Sequence, residues 1–550
     1  MTRVSTLIQT KVSPANWWEG AVIYQVYPRS LKDTNGDGIG DLPGIIEKLD
    51  YIVSLGVDAI WISPFYKSPM QDFGYDVSDY RSIDPLFGTL ADFDELIKQA
   101  HQLNLKVIID QILSHTSDRH AWFEESRSSR DNPKADWYVW AEPKKDGSPP
   151  NNWLSIFGGC AWQWDSRRCQ YYLHNFLSSQ PDLNYHCRAV RKQILQEVEF
   201  WLQRGIDGIR LDAINFCFHD QLLRNNPAKP ARKRDGRGFS RNNPYAYQYH
   251  YFNNTQPENI EFLKELRSLL ERYPITVALG EVSSEDSLDT MAQYTHGDNL
   301  LHLAYSFELL VDTFCTAHIR NVIEKSEAKL DPGRACWAIG NHDVARVVSR
   351  WSGPSNQQQF AKLVLAFLMS LKGTICIYQG DELGLTEVAL QWDQLQDPYG
   401  IAFWPEYKGR DGCRTPIPWN GNQVNAGFTG GKPWLPLPQD HLAFAVEQQQ
   451  ASDVSTLNTF KQLLAWRKNH SILIQGTIRF IDSPDGTLAF WRQLKNQSLL
   501  VAFNFTNSTT TIEIPISELE PERVADFEPC SINNGKLQVQ AMNAFFGWTA

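Results

Sequence analysis

Four charged residues at or near the ends of short apolar stretches have the types and spacing for acid–base and nucleophilic chemistry. Arg210 and Asp212 lie two positions apart, and alternate residues of a strand share one face. Glu281 and Asp343 follow two later apolar stretches. Two carboxylates about 5 Å apart are what retaining hydrolysis of a glycosidic bond requires, one as nucleophile and one alternating between acid and base. For the first stretch alone, an ordinary Arg–Asp ion pair explains the spacing equally well.

The two carboxylates need different electrostatic environments. The nucleophile must stay ionised, whereas the acid–base residue needs a raised pKa. Arg210, on the same strand face as Asp212, can hold that acid ionised. Asp110 is as well suited to orient neighbours as to contact a substrate. His115 and His342 could donate to sugar hydroxyls, although a lone His is more often structural.

Elements that would position these residues are short apolar strands alternating with amphipathic helical segments. This alternation predicts an α/β fold with a parallel sheet. Eight strands fit a closed (β/α)8 TIM barrel, in which the chemistry lies at the carboxyl ends of the strands. The predicted strands cover residues 21–28, 58–64, 105–113, 208–214, 275–282, 300–307, 335–343 and 374–380.

Segments with other patterns predict additions to the barrel. The barrel is expected over 15–116 and 185–470, with an inserted subdomain at 117–184 after strand 3. An irregular excursion at 384–450 follows strand 8. From 471 to 550, alternating apolar runs between Asn, Asp and Gly turns predict a C-terminal antiparallel β-sandwich.

Charge and cysteine content restrict the partners and the compartment. The net charge of −11 disfavours nucleic acid or an anionic membrane as partner, and the basic cluster at 229–241 is read as a solvated loop. No apolar run is long enough to span a bilayer, and residues 1–14 lack the apolar core of a signal peptide. Nine cysteines without metal-type spacing are interpreted as free thiols. We therefore expect a cytoplasmic protein.

An Asp- and Gly-rich loop after the first strand predicts a structural Ca²⁺ or Mg²⁺ site. Oxygen ligands at alternate positions suit a hard divalent cation. The loop is not an EF-hand, because Gly44 occupies the twelfth position, where a bidentate Glu would be required. A metal-free Asx-rich turn is the alternative. The predicted ligands are Asp33, Asn35, Asp37, the Ile39 carbonyl and Asp41.

Several stretches, in order, resemble the sequence blocks of the α-amylase family of glycoside hydrolases, and the resemblance covers nearly the whole chain. The blocks are at 110–115, 180–184, 208–212, 280–282 and 341–343. Gln180-Pro-Asp-Leu-Asn184 and Gly409-Arg-Asp-Gly-Cys-Arg-Thr-Pro416 are similar to the α-glucosidase and oligo-1,6-glucosidase branch.

This resemblance implies roles for matching residues. Asp212 would be the nucleophile, Glu281 the general acid/base, and Asp343 a ligand of the 2- and 3-hydroxyls. Asp72 and Arg410 would form a charged pair that closes the pocket around the terminal glucose and makes the enzyme exo-acting. The remaining implied substrate-binding positions are Tyr75, His115, Phe157, Arg210, Ala213 and His342.

Two positions depart from the family pattern. Ser114 replaces the Asn that usually precedes the block's His, which affects a contact with the inserted subdomain and no carboxylate. Ala213, after the nucleophile, replaces the Val typical of enzymes that prefer α-1,6 links, and so favours α-1,4 links.

The resemblance implies an exo-acting retaining α-glucosidase that releases α-D-glucose from maltose-like and short α-glucosides, with possible transglucosylation and no organic cofactor. The expected assembly is a monomer or homodimer. A sucrose- or trehalose-acting isomerase or transglucosidase on the same scaffold is the alternative. A non-catalytic membrane-anchored relative would carry decayed acids, whereas Asp212, Glu281 and Asp343 are present.

Overall fold

Eight parallel strands form the centre of the protein, as the sequence predicts. The computed structural model describes residues 16–234, 242–273, 275–353, 356–516 and 518–549. Residues 1–14, for which we expect no signal peptide, lie outside this described part. So do residues 235–241, which belong to the basic cluster interpreted as a solvated loop. The strands of the barrel are β1 Val22–Val26, β2 Ala59–Ile62, β3 Lys106–Ile112, β4 Gly208–Asp212, β5 Val277–Val282, β6 Leu303–Ser306, β7 Cys336–Ala338 and β8 Thr374–Tyr378.

The strands close into a barrel in chain order. Hydrogen-bonded neighbours run from β6 through β5, β4, β3, β2 and β1 to β8 and β7. A parallel bridge between Ala304 and Ala335 joins β6 to the residue before β7 and completes the ring. All carboxyl ends therefore face one mouth.

One helix follows each strand and covers the outside of the barrel. Asp41 caps the first helix through Gly44 N, and Thr89 with Asp92 forms a capping box on the second. The barrel helices are α1 Leu42–Ser54, α2 Leu90–Gln102, α3 Arg188–Leu202, α4 Asn259–Leu270, α5 Ser287–Thr295, α6 Thr316–Lys329, α7 Gln357–Met369 and α8 Thr456–Asn469. Shorter helices lie at Ala121–Ser128, Val347–Trp351, Pro398–Phe403, Gln439–Leu442, Val446–Gln450 and Ser471–Gln475.

Strand residues divide between two apolar layers because alternate side chains point to opposite faces. On β1, Val22 and Tyr24 pack outward in the layer shared with the helices, and Ile23 points into the barrel interior. Trp61 and Tyr305 belong to the same interior cluster. The interior is therefore a packed core, and any substrate must bind above it, at the mouth.

Antiparallel strands build the parts outside the barrel. After β3, a three-stranded sheet at Trp140–Ala141, Gln170–Leu173 and Trp162–Asp165 forms the centre of residues 117–184. A hairpin of Tyr66–Lys67 and Asp79–Ile83 follows β2. The C-terminal domain has a five-stranded and a three-stranded sheet. Its strands are β9 Thr477–Phe480, β10 Thr487–Leu494, β11 Gln497–Asn504, β12 Thr510–Glu513, β13 Glu520–Pro521, β14 Ser531–Asn533, β15 Lys536–Val539 and β16 Asn543–Trp548.

Most barrel strands end one or more residues earlier than the sequence pattern predicts, and two of these early ends shape the site. β7 stops at Ala338, and Asp343 lies in the following loop, where the Asn341 side chain accepts a hydrogen bond from the Asp343 amide. β4 stops at Asp212 because Ala213 has left-handed backbone angles (φ 40°, ψ 46°). Both turns place chemistry-bearing groups above the barrel. Within the described ranges, no helix is long and apolar enough to cross a bilayer.

Candidate active site

Arg210 is the centre of a buried ion cluster at the barrel mouth. Its Nη1 lies 2.8 Å from Asp110 Oδ1 and 2.7 Å from Asp212 Oδ1. Its Nη2 lies 2.5 Å from Glu281 Oε1. One guanidinium therefore spans acids from β3, β4 and β5, and Asp212 and Glu281 share it as a common cationic partner. The ordinary two-residue ion pair is thus only part of a larger arrangement.

The Glu281 carboxyl is held by groups on two other strand ends, those of β4 and β6. The Tyr305 hydroxyl, on β6, donates to Glu281 Oε1 at 2.8 Å, and the Ala213 amide donates to Oε2 at 3.1 Å. Burial raises the pKa of Glu281 to about 7, with Asp212 and Asp343 adding to the rise and Arg210 opposing it. A carboxyl with this pKa can donate a proton near neutrality.

Asp212 has a raised pKa, which differs from the expectation that Arg210 alone would keep it ionised. Burial raises the pKa of Asp212 to about 7. Arg210 lowers it, but the charges of Asp110 and Asp343 act in the opposite direction. Burial raises the pKa of both neighbouring carboxyls toward neutrality, so one can be protonated while the other is ionised. The pair therefore supplies one acid and one carboxylate, the combination that the chemistry needs.

Asp343 is the acid whose charge is most strongly stabilised. Burial acts to raise its pKa, but His342, Arg410 and Arg414 together hold it well below the ordinary value. Arg410 Nη1 and Arg414 Nη2 each lie 3.2 Å from Asp343 Oδ1. A permanently ionised acceptor is suited to binding sugar hydroxyls through charge-assisted hydrogen bonds.

The predicted pair of Asp72 and Arg410 is formed at one side of the pocket. Arg410 Nη2 donates to Asp72 Oδ1 at 2.8 Å and to Asp397 Oδ1 at 2.8 Å. The Arg410 guanidinium also lies over the Phe157 ring, 5.1 Å from its centroid. Asp72, Asp343 and Asp397 thus fix one arginine that joins three loops.

Two neutral histidines complete the polar wall. Burial lowers the pKa of His342 to about 3 and that of His115 to about 4, so both are uncharged near neutrality. His342 Nε2 lies 2.6 Å from the Tyr75 hydroxyl, and the two rings stack 5.3 Å apart. His115 Nδ1 lies 2.9 Å from the Ser114 hydroxyl, so Ser114 now orients the histidine that follows it.

These residues line a pocket with polar and aromatic walls. The predicted residues on its surface are Asp72, Tyr75, His115, Phe157, Asp212, Ala213, Glu281, Asp343 and Arg410. Arg210 and His342 lie behind the lining, at 0% exposure. Beside it is a second cavity of about 490 Å³, and Ser283 and Phe307 line both.

Comparisons with known proteins identify the family of this chain. The family model described as alpha amylase, catalytic domain, matches residues 25–476. The chain belongs to the α-amylase family of glycoside hydrolases. A probable α-glucosidase of Rhizobium meliloti is 51% identical over 534 residues, 96% of this chain and 97% of that protein. An oligo-1,6-glucosidase of Parageobacillus thermoglucosidasius is 36% identical over 91% of this chain and 92% of that protein.

A solved structure of an α-glucosyl transfer enzyme, XgtA, has the same architecture as this glycoside hydrolase. The two superpose with a TM-score of 0.95 at 59% sequence identity, covering 97% of this chain and 99% of that one. The predicted family, its α-glucosidase branch and the TIM barrel are confirmed.

Several residues of the hydrolase site were not predicted. Tyr305 ends β6, and the rule that chemistry gathers at strand ends could have pointed to it. Asp397, which also binds Arg410, lies in the irregular stretch after β8, where no pattern distinguishes it. Apolar pocket walls were missed because lone aromatics resemble core residues in sequence. These walls are Ile156, Phe176, Phe216, Phe307 and Tyr399.

The predicted cation loop lies apart from the pocket, and its oxygens already have protein donors. Asp33 accepts hydrogen bonds from the amides of Asn35, Gly36 and Gly38. Asp41 accepts from the Gly44 amide as helix cap. In the described residues, no group of three or more His, Cys, Asp and Glu converges as a metal site. Amide bonds of this kind leave other oxygen lone pairs free, so cation binding stays a prediction.

Proposed function

We propose that this glycoside hydrolase is an exo-acting, retaining α-glucosidase that removes α-D-glucose from the non-reducing end of maltose-like and short α-glucosides. The observation that carries the proposal is the contact of Arg410 with both Asp72 and Asp343. These charges occupy one side of the pocket, where a longer glucan chain would need an opening. A single terminal glucose with its hydroxyls toward these charges satisfies them.

The reaction would proceed by double displacement. In the first step Glu281 gives its proton to the glycosidic oxygen while the Asp212 carboxylate attacks the anomeric carbon, so the leaving sugar departs and a glucosyl ester forms. In the second step Glu281 takes a proton from water, which attacks the same carbon and releases Asp212. Asp343 would favour the transition state by holding the 2- and 3-hydroxyls.

Transfer to another sugar or alcohol is a second activity that one observation favours. The cavity of about 490 Å³ meets the catalytic pocket at Ser283 and Phe307 and leaves space for a second molecule beside that pocket. An acceptor held there would attack the glucosyl ester in place of water. A sucrose- or trehalose-acting isomerase is the extreme of this behaviour, in which the leaving sugar itself is the acceptor.

A preference for α-1,4 links is also proposed, on the position of Ala213. Its small side chain lies in the lining of the pocket, directly after the nucleophile, and its backbone is left-handed. A β-branched Val would be strained in that conformation. The backbone therefore favours a small residue at position 213. A small side chain there leaves more space beside the glycosidic oxygen.

Proton NMR of the products over time tests this function directly. Maltose, isomaltose, sucrose and trehalose would each be incubated with the enzyme, with Asp212→Asn as the inactive control. Release of α-glucose first from maltose, with isomaltose slow, supports a retaining α-1,4 hydrolase. Conversion of one disaccharide into another would favour the isomerase, and β-glucose as the first product would contradict retention.

A structural Ca²⁺ or Mg²⁺ at Asp33, Asn35, Asp37, the Ile39 carbonyl and Asp41 belongs to the same proposal. The loop lies away from the acids, so a chelator should lower the melting temperature more than the activity. An unchanged melting temperature would contradict the site.

We also propose a cytoplasmic monomer or homodimer that binds a small-molecule α-glucoside substrate and neither nucleic acid nor a membrane. All nine cysteines lie in the described part of the chain and are unpaired. Free thiols are typical of a reducing compartment. Cell fractionation and light scattering would test location and assembly.

A further inference from the structure

The end of β6 carries a tyrosine that touches both the arginine and the acid–base residue of the site. Tyr305 is 2% exposed and belongs to the interior cluster of the barrel. Its hydroxyl accepts a hydrogen bond from Arg210 Nη2 at 2.8 Å and donates to Glu281 Oε1 at 2.8 Å. Among the described residues, Tyr305 is the one whose hydroxyl contacts the Glu281 carboxyl.

This geometry makes the two oxygens of Glu281 unequal. Oε1 faces two donors, the Tyr305 hydroxyl and the Arg210 guanidinium. Oε2 faces one, the Ala213 amide. A carboxyl oxygen that already receives two strong donors has little capacity to carry a proton of its own. Oε2 contacts the backbone of Ala213, the residue directly after Asp212.

We propose that Tyr305 is a positioning residue that keeps the catalytic proton of Glu281 on Oε2. In the first step the proton leaves Oε2 for the glycosidic oxygen, and in the second step Oε2 takes the proton of the attacking water. Tyr305 keeps its own proton throughout. The inference rests on the proposed function, because it assigns the acid–base role to Glu281.

Loss of the hydroxyl has a definite effect on titration. Tyr305 donates to the ionised carboxylate and so lowers the Glu281 pKa, against burial, which raises it. Tyr305→Phe should therefore shift the alkaline limb of the pH–rate profile to higher pH. The charged and titratable groups that face Glu281 and stay in place are Arg210, Asp110, Asp212 and Asp343.

The test compares Tyr305→Phe with Tyr51→Phe. Tyr51 is an equally apt control, because its buried hydroxyl also donates to a carboxylate, Glu382 Oε1 at 2.8 Å, away from the pocket. For Tyr305→Phe we expect kcat/KM on an alkyl α-glucoside to fall about tenfold or more, with a smaller fall on an aryl α-glucoside that needs little protonation. Tyr51→Phe should keep the wild-type ratio of the two substrates and the wild-type profile.

A second readout needs no substrate. Since the lost hydrogen bond serves the ionised carboxylate, the melting temperature of Tyr305→Phe should fall further below wild type at pH 8.5 than at pH 5. Any one of three results would overturn the role of Tyr305. These are an equal loss of kcat/KM on both glucosides, an alkaline limb of the pH–rate profile that does not move, and a difference in melting temperature that is independent of pH. Wild type that is inactive on both glucosides while the pH-dependent melting difference persists would contradict the proposed function and leave the contact with Glu281 supported.

Discussion

Two buried arginine clusters lie at opposite ends of the barrel and differ in what surrounds them. At the carboxyl ends of the strands, Arg210 contacts Asp110, Asp212 and Glu281. Before β8, at the amino ends, Arg467 and Arg492 donate to backbone carbonyls of the turn after α7 and of residues 473–477. Arg467 lies on α8 and Arg492 on β10, so this second cluster fastens the C-terminal domain to the barrel.

The two clusters show that the chemistry of the partner groups sets the direction in which the pKa of a buried arginine shifts. Burial alone lowers the pKa of an arginine, and it lowers those of Arg467 and Arg492 to about 9. For Arg210 the neighbouring carboxylates overcome burial and raise the pKa well above its ordinary value. Carbonyl partners do not titrate, whereas the carboxylates around Arg210 can exchange protons. The cluster of Arg467 and Arg492 stabilises the fold, and the cluster around Arg210 performs chemistry.

The largest effect is expected from Asp212→Asn. An amide cannot form the glucosyl ester, so turnover should fall on the order of 10⁴-fold or more. Arg210 would keep Asp110 and Glu281, and the melting temperature should change little. Initial rates and thermal melting of the same preparation check both statements, and near-normal turnover would exclude Asp212 as the nucleophile.

The opposite pattern is expected from Arg467→Met. Loss of the guanidinium removes the arginine donor from the carbonyls of Met369, Leu371 and Gly373, whereas Leu473 keeps Arg492. The free energy of unfolding should fall by about 3–5 kcal/mol. Activity per folded molecule should be unchanged. Denaturant unfolding measures the loss.

Lys468→Met is the matched control for this stability prediction. Lys468 is the next residue on α8, and its half-exposed ion pair with Asp58 contributes at most about 1 kcal/mol. A loss of activity in Arg467→Met without a loss of stability would remove the distinction between the two clusters.

Much of the site follows from strand-end positions in the sequence, and the remainder depends on long loops. Asp212 and Glu281 end strands, so a barrel alone brings them together. Arg410 and Asp397 come from the stretch after β8, whose path has no periodic signal, and only the resemblance named Arg410. The raised pKa of Asp212 was not predictable because it depends on the burial and spacing of several acids at once.

A smaller effect is expected from pH. Asp212 must be ionised and its pKa is about 7, so activity should fall as pH drops below that value. Glu281 must be protonated and its pKa is also about 7, so activity should fall as pH rises above it. A narrow bell in kcat/KM centred near pH 7 is the expected profile. A broad plateau of kcat/KM from pH 4 to 9 would show that Asp212 and Glu281 do not share a proton.

Mass spectrometry of the trapped intermediate tests the central claim that the carboxylates beside Arg210 divide the roles of nucleophile and acid. A fluorinated α-glucosyl donor that forms the glucosyl ester quickly and hydrolyses slowly would be added, and the labelled peptide sequenced. The label is expected on Asp212, and slow hydrolysis of the trapped species should release a sugar in the α-configuration. A label on Glu281 or Asp343, or none in an enzyme that still cleaves α-glucosides, would contradict the account.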